Sequence, residues 1–168
     1  VPDPVRICFV CSGNICRSPT AEVVLNRLVA AAGVADTIVV SSAGTGSWHV
    51  GEDMDARSRR VLTDAGYDVP RHVARQFRAG DFEAFDLVVA LDSEHLATLN
   101  ALAEHSDDPA GARHKVRLLR SFDPDLADGE SRDVADPYYG GPDGFRVVLE
   151  QVERSCAGLL TELSRSPV

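Results

Sequence analysis

Three of the chain's four cysteines, Cys8, Cys11 and Cys16, fall near its start, and the run CSGNICRS at residues 11–18 joins two of them to Arg17 and Ser18. An arginine six residues after a cysteine can turn its planar fork onto two oxygens of an anion centred near the sulfur. Gly13 and Asn14 are residue types that adopt positive φ readily, so the backbone between them can curl its N–H groups toward one point. Surroundings that hold an oxyanion also hold a thiolate, and they lower a cysteine pKa from about 8.5 to roughly 3.5–7.5. Phosphate binder and activated nucleophile would then be one structure. Other uses of these residues are weaker. Cys8 alternates with apolar neighbours, as a structural thiol does. Cys11 and Cys16 lack an accompanying Cys or His pair of zinc-like spacing. A Walker-type nucleotide loop would end in Gly-Lys-Ser/Thr, not Cys-Arg-Ser.

Such a loop needs a strand before it and a helix after it. VRICFV at 5–10 predicts the strand. Ala21, Val24, Leu25, Leu28, Val29 and Ala32 recur at helical spacing, with Gly33 at the C-cap. TIVVS at 37–41 predicts a second strand, followed by the Gly-rich SAGTGSWHVGED, and residues 55–65 predict a helix closed by Gly66. FDLVVAL at 85–91 is a buried-strand pattern, followed by a helix from Ser93 with Glu94 in its first turn. KVRLL at 115–119 predicts the fourth strand, residues 121–144 a long loop, and a last helix runs from near Phe145 to about Leu163. Strands alternating with helices imply an α/β fold of right-handed parallel βαβ units with helices on both faces. In such sheets ligands bind at the carboxyl ends of strands, where CSGNICRS stands.

With 168 residues, 44% hydrophobic and 26% charged, one ordinary domain spanning 1–168 is expected. A net charge of −9 argues against nucleic-acid or anionic-membrane partners, so local geometry must hold any phosphate. No apolar run approaches the roughly 20 residues of a membrane span, and VPDPVRI has no secretory leader pattern. Unevenly spaced cysteines point to a reducing, cytoplasmic setting, with export by an unmarked route left open.

VCSGNICRSPTAE resembles the signature loop of the low-molecular-weight protein tyrosine phosphatases. SSAGTGSWHVG, RHVARQF, FDLVVALD, SFDP and DPYYGGPDGF extend the likeness in matching order over nearly the whole chain. The resemblance implies a four-stranded parallel sheet and phosphomonoester hydrolysis through a phosphocysteine, with neither metal nor cofactor. It makes Cys11 the nucleophile, Arg17 the phosphate clamp and Ser18 the hydroxyl on the sulfur. Asn14 shapes the loop, supported by Ser42 and His72, and Asp136 is the general acid and base. The loop residues Ser12, Gly13, Asn14, Ile15 and Cys16 bind substrate. Trp48 and Tyr138 wall the slot, with His49 and Tyr139 at its rim, because aromatic walls select an aryl phosphate by contact with its ring. Ser12 departs from the Leu or Thr common among relatives, which touches substrate preference. Cys11 and Cys16 are the expected redox pair.

Phosphotyrosine-containing proteins are the implied substrates, phosphate the product, and a monomer or weak dimer the implied state. Two rivals stay open. Arsenate reductases of this scaffold carry two further cysteines near the start of the third strand, where this chain has none and Cys156 lies far along. A catalytically idle phosphotyrosine-binding module would need neither Cys11 nor Asp136.

Overall fold

The computed structural model describes residues 2–138 and 140–165. Four parallel strands, β1 (Val5–Cys11), β2 (Ile38–Gly44), β3 (Leu87–Ala90) and β4 (Val116–Leu118), stand in the order β2-β1-β3-β4. The helices are α1 (Arg17–Ala31), α2 (Ala56–Asp64), α3 (Ser93–Ala103), α4 (Pro109–Lys115) and α5 (Pro142–Arg165). The two-residue period of a strand decides what covers each face. Ile7, Phe9, Leu87 and Val89 join a core with Val24 and Leu25 of α1 and Val152 and Leu159 of α5. Cys8, Val10, Val88 and Ala90 join another with Leu99 and Ala103 of α3, Ala112 of α4, and Phe77 and Phe82. From Ile7 to Cys11 and from Leu87 to Ala90 the two central strands are thus apolar and buried on both faces, as a doubly covered sheet requires.

Four boundaries differ from expectation. Strand β2 runs on into the Gly-rich segment as far as Gly44, because Cys11 pairs with it in register. A Cβ on Gly44 would stand 2.6 Å from the Ser12 carbonyl oxygen, so glycine is what lets the two strand ends close. Residues 109–115 form α4, with Pro109 at its start and the Asp108 carboxylate capping Gly111 N–H. The fourth strand is only three residues long, because the chain turns at once into a 3-10 turn at Leu119–Phe122. Helix α5 begins at Pro142, shortening the loop before it. Among the described residues no helix is long and apolar enough to cross a membrane.

Candidate active site

Cys11 closes β1 and is 3% exposed, and its Sγ lies 2.9 Å from Ser18 Oγ in the first turn of α1. Between them the chain turns at Asn14, whose φ of 59° makes it the one non-glycine residue with positive φ among those described. That conformation is strained for an L-residue and is held from every side. Asn14 Nδ2 donates to Ser18 Oγ (2.8 Å) and Ser42 Oγ (3.0 Å), and its Oδ1 accepts from the Arg75 amide (3.0 Å). His72 Nε2 donates to the Asn14 carbonyl at 2.6 Å, so this ring carries its proton on Nε2. Ser42 Oγ–H donates in turn to Glu22 Oε1 (2.6 Å), and Asp53 Oδ1 accepts from the His72 amide (3.0 Å). That amide bond foremost holds the Asp53 carboxyl down to about 2. Among the described residues, the amides from Ser12 to Arg17 find no backbone acceptor outside the helix, which leaves the loop and the α1 N-terminus able to donate to an anion.

Arg17 is 4% exposed. Its Nη1 donates to Asp92 Oδ2 (2.8 Å) and to the Val134 carbonyl (3.0 Å), while Nη2 lies 3.4 Å from His95 Nε2 and 3.7 Å from Asp136 Oδ2. Burial opposes the charge on Asp92, yet the His95 amide bond, His95 itself and Arg17 together keep its carboxyl below the usual range. Asp136 is exposed, and its Oδ1 accepts from the Tyr138 amide (3.1 Å).

A cavity of about 400 Å³ opens over these groups, with Cys11, Ser12, Gly13, Ile15, Cys16 and Arg17 as its floor and Trp48, His49, Asp136 and Tyr138 as its walls. Trp48 is 73% exposed. A Cβ on Gly46 would fall 1.8 Å from its ring, so glycine gives the indole its seat. Arg57 steadies Tyr138, donating to its carbonyl (3.1 Å) with the guanidinium 5.3 Å from the ring centroid. His49 Nδ1 pairs with Glu52 Oε2 at 2.6 Å. Tyr139 lies outside the described residues. The structure therefore gathers the predicted loop and wall residues at one mouth, with Asn14, Ser18, Ser42 and His72 behind it.

All four cysteines are free thiols. Burial pushes Cys8 up to about 12 and, joined by Asp55, pushes Cys16 up to about 12 as well. Cys156 packs its Sγ 3.9 Å from the Ala21 carbonyl and does not line the cavity. Among the described residues no cluster of His, Cys, Asp or Glu could hold a metal ion.

Sequence reasoning missed Asp92, His95, Glu22, Asp53 and Arg57. Asp92 and His95 carried a usable signal, since they follow directly on β3 at the same sheet edge as the loop.

A family model described as low molecular weight phosphotyrosine protein phosphatase matches residues 6–167. The low molecular weight protein-tyrosine-phosphatase of Streptomyces coelicolor is 54% identical over 155 residues, 92% of this chain and 91% of that one. Low molecular weight protein-tyrosine phosphatase A of Mycobacterium tuberculosis is 40% identical over 157 residues, 94% and 90% of the two chains. The crystal structure of an Entamoeba histolytica protein tyrosine phosphatase, with Hepes in its active site, superposes with a TM-score of 0.89 at 32% identity, covering 98% of this chain and 99% of that one. A strand-loop-helix anion cradle with a cysteine at its floor, in a chain matched almost end to end, has one account: the chain belongs to the low molecular weight phosphotyrosine protein phosphatase family.

Proposed function

We propose that the chain hydrolyses phosphotyrosine in proteins, and small aryl phosphates, as one domain spanning residues 1–168. One observation carries this: the Cys11 sulfur, the Arg17 guanidinium and the Asp136 carboxylate face a single cavity, with Ser18 Oγ 2.9 Å from the sulfur. Cys11 Sγ attacks phosphorus in line with the leaving oxygen, while the loop amides and Arg17 take up the equatorial oxygens. Asp136 gives its proton to the departing phenolate, a step worth about 10²–10⁴-fold. In the second half Asp136 takes a proton from water, which attacks the phosphocysteine. The S–P bond breaks toward Cys11, Ser18 Oγ–H stabilises the returning thiolate, and inorganic phosphate leaves.

Trp48 and Tyr138 wall the substrate ring, with His49 at the rim, where the family resemblance also assigns Tyr139. Ser42 and His72 serve the Asn14 turn. Peroxide oxidises Cys11 to a sulfenic acid, releasing water; the Cys16 sulfur then attacks the Cys11 sulfur, the S–O bond breaks, and the hydroxide leaves as a second water with the Cys16 proton. A reducing cytoplasm and a monomer or weak dimer suit this chemistry.

The test is turnover of p-nitrophenyl phosphate in excess EDTA, with acid quenching to trap phosphate on the enzyme. Trapped label should map to Cys11, and Cys11→Ser should abolish both label and turnover. A metal requirement, or label on another residue, would overturn the mechanism.

A further inference from the structure

Arg17 offers five N–H groups in one plane, and protein acceptors account for three of them. Both on Nη1 are taken, by Asp92 Oδ2 and the Val134 carbonyl. One on Nη2 faces His95 Nε2 at 3.4 Å. The two left over, on Nε and Nη2, lie side by side on one edge and form a fork for two anion oxygens. An arginine has no lone pair, so the Nη2 contact makes His95 Nε2 an acceptor and places the neutral ring's single proton on Nδ1. Nδ1 stands 3.2 Å from Asp92 Oδ1, close enough for charge attraction but not aligned for a hydrogen bond, and that oxygen already takes the His95 amide at 2.9 Å. The same Nε2 lies 2.8 Å from Ser12 Oγ, so with its proton on Nδ1 its one lone pair takes the Ser12 hydroxyl as the nearer donor and shares the Arg17 Nη2 hydrogen at longer range. His95 is 2% exposed, which leaves water little room to replace it.

We propose that His95 is a positioning residue of the phosphate clamp: its neutral imidazole occupies the outer Nη2 hydrogen of Arg17 and the Ser12 hydroxyl, leaving the Nε/Nη2 edge to meet phosphate. This rests on the phosphatase assignment and deepens it. Without the imidazole, the guanidinium rolls about its two Nη1 contacts, and the Ser12 hydroxyl competes for a phosphate oxygen. A protonated ring would do the same damage, since it loses the lone pair and sets a second cation beside Arg17. Burial opposes that protonation, with Arg17 on the same side and Asp92, Asp136 and Asp133 pulling the other way, and the ring is held down to about 4. The hydroxyl at position 12 thereby acquires a partner specific to this chain's His95.

The experiment compares His95→Ala, His95→Gln and His95→Asn. It measures p-nitrophenyl phosphate kinetics, inorganic phosphate affinity by Trp48 fluorescence, and circular dichroism with thermal melting. Gln can place an acceptor where Nε2 was, whereas Asn reaches only as far as Nδ1. Expected for His95→Ala is a kcat/KM loss on the order of 10- to 100-fold, carried mainly by kcat, with about tenfold weaker phosphate binding. His95→Gln should recover all but about fivefold of the kcat/KM, and His95→Asn should behave like the alanine variant. Ser12→Ala should cost less in the His95→Ala background than alone, because the two share one contact. Equal behaviour of Gln and Asn, or a folded His95→Ala with wild-type kinetics and phosphate affinity, would overturn the proposal. If His95→Ala fails to fold, the Gln and Asn pair decides. If the parent protein turns over no aryl phosphate, the catalytic assignment falls, while the order of phosphate affinities still decides the clamp.

Discussion

The phosphate loop and the acid loop face the same cavity, yet they are built in opposite ways. The first is eight consecutive residues running from the end of a strand into the first turn of a helix, with Asn14 and Ser18 fully buried and the side-chain amide and carbonyl of Asn14 all engaged. The second is assembled from distant parts, and its Asp136 side chain is 55% exposed. Beneath Asp136, the Val134 amide bonds to the Leu91 carbonyl (2.8 Å), and Asp133 accepts from Ser93 N–H (2.8 Å) and Oγ–H (2.6 Å). Arg120, 2% exposed, donates to the Ser131 and Asp133 carbonyls and to Glu130 Oε1, and lies 3.6 Å from the buried Asp123 carboxylate. A cradle must be preorganised, because reorienting dipoles during reaction wastes their stabilisation. An acid must exchange protons with solvent and make way for substrate, so only its roots are fixed. Among the described residues the two loops meet at Arg17, whose Nη1 donates to the Val134 carbonyl and whose Nη2 lies 3.7 Å from Asp136 Oδ2.

Five outcomes would break or sharpen that contrast. Cys11→Ser should lower turnover by about 10⁴-fold or more while phosphate still binds, as single-turnover assays and fluorescence titration would show. Asp136→Asn should slow phenyl phosphate by about 10²–10⁴-fold and a dinitrophenyl ester far less, with phosphate affinity kept; equal losses would remove Asp136 from the acid role. Arg120→Ala should cost about 3 kcal/mol in chemical denaturation, by freeing the Ser131 and Asp133 carbonyls and leaving Asp123 to Arg154 and the Asp125 amide, and should lower kcat while sparing phosphate affinity. A fall in phosphate affinity there would mean the loops are not separately supported.

The fourth concerns pH. His95 titrates near 6.5 when unfolded and at about 4 when folded, so between those values the unfolded chain holds the extra proton. Stability is therefore whole above about 6.5 and declines as pH falls toward 4, by up to about 3 kcal/mol, and His95→Gln should flatten that slope in denaturation at pH 7 against pH 5. Smallest is Ser42→Ala, which leaves one Asn14 N–H unpaired and should cost about 1–3 kcal/mol in the same assay.

Locality also governs what the sequence could reveal. The cradle was legible because its residues are consecutive and its strand and helix carry clean periods. Asp136 was reached through DPYYG, and its supports were not reached at all. Arg120 and Asp133 act through backbone carbonyls and a helix start, contacts that leave no spacing pattern along the chain. Helix α4 was missed because Asp108 and Pro109 serve a turn or a helix start equally well, and only packing of Ala112 against the sheet decides between them. The extra reach of β2 was hidden by Gly44, a residue that weakens strand propensity but is needed where two backbones nearly touch.

The burial of the other thiols has a practical corollary. Cys8 and Cys16 are held near 12 and Cys156 higher still, so at neutral pH only about one in 10⁵ of the Cys8 or Cys16 side chains is ionised at any instant. Rapid labelling of the native enzyme by an electrophile should therefore map to Cys11, as peptide mapping of the tagged protein would show. On that expectation a fluorophore or an affinity handle would attach at one site with no cysteine removed by mutagenesis, at the cost of the proposed nucleophile.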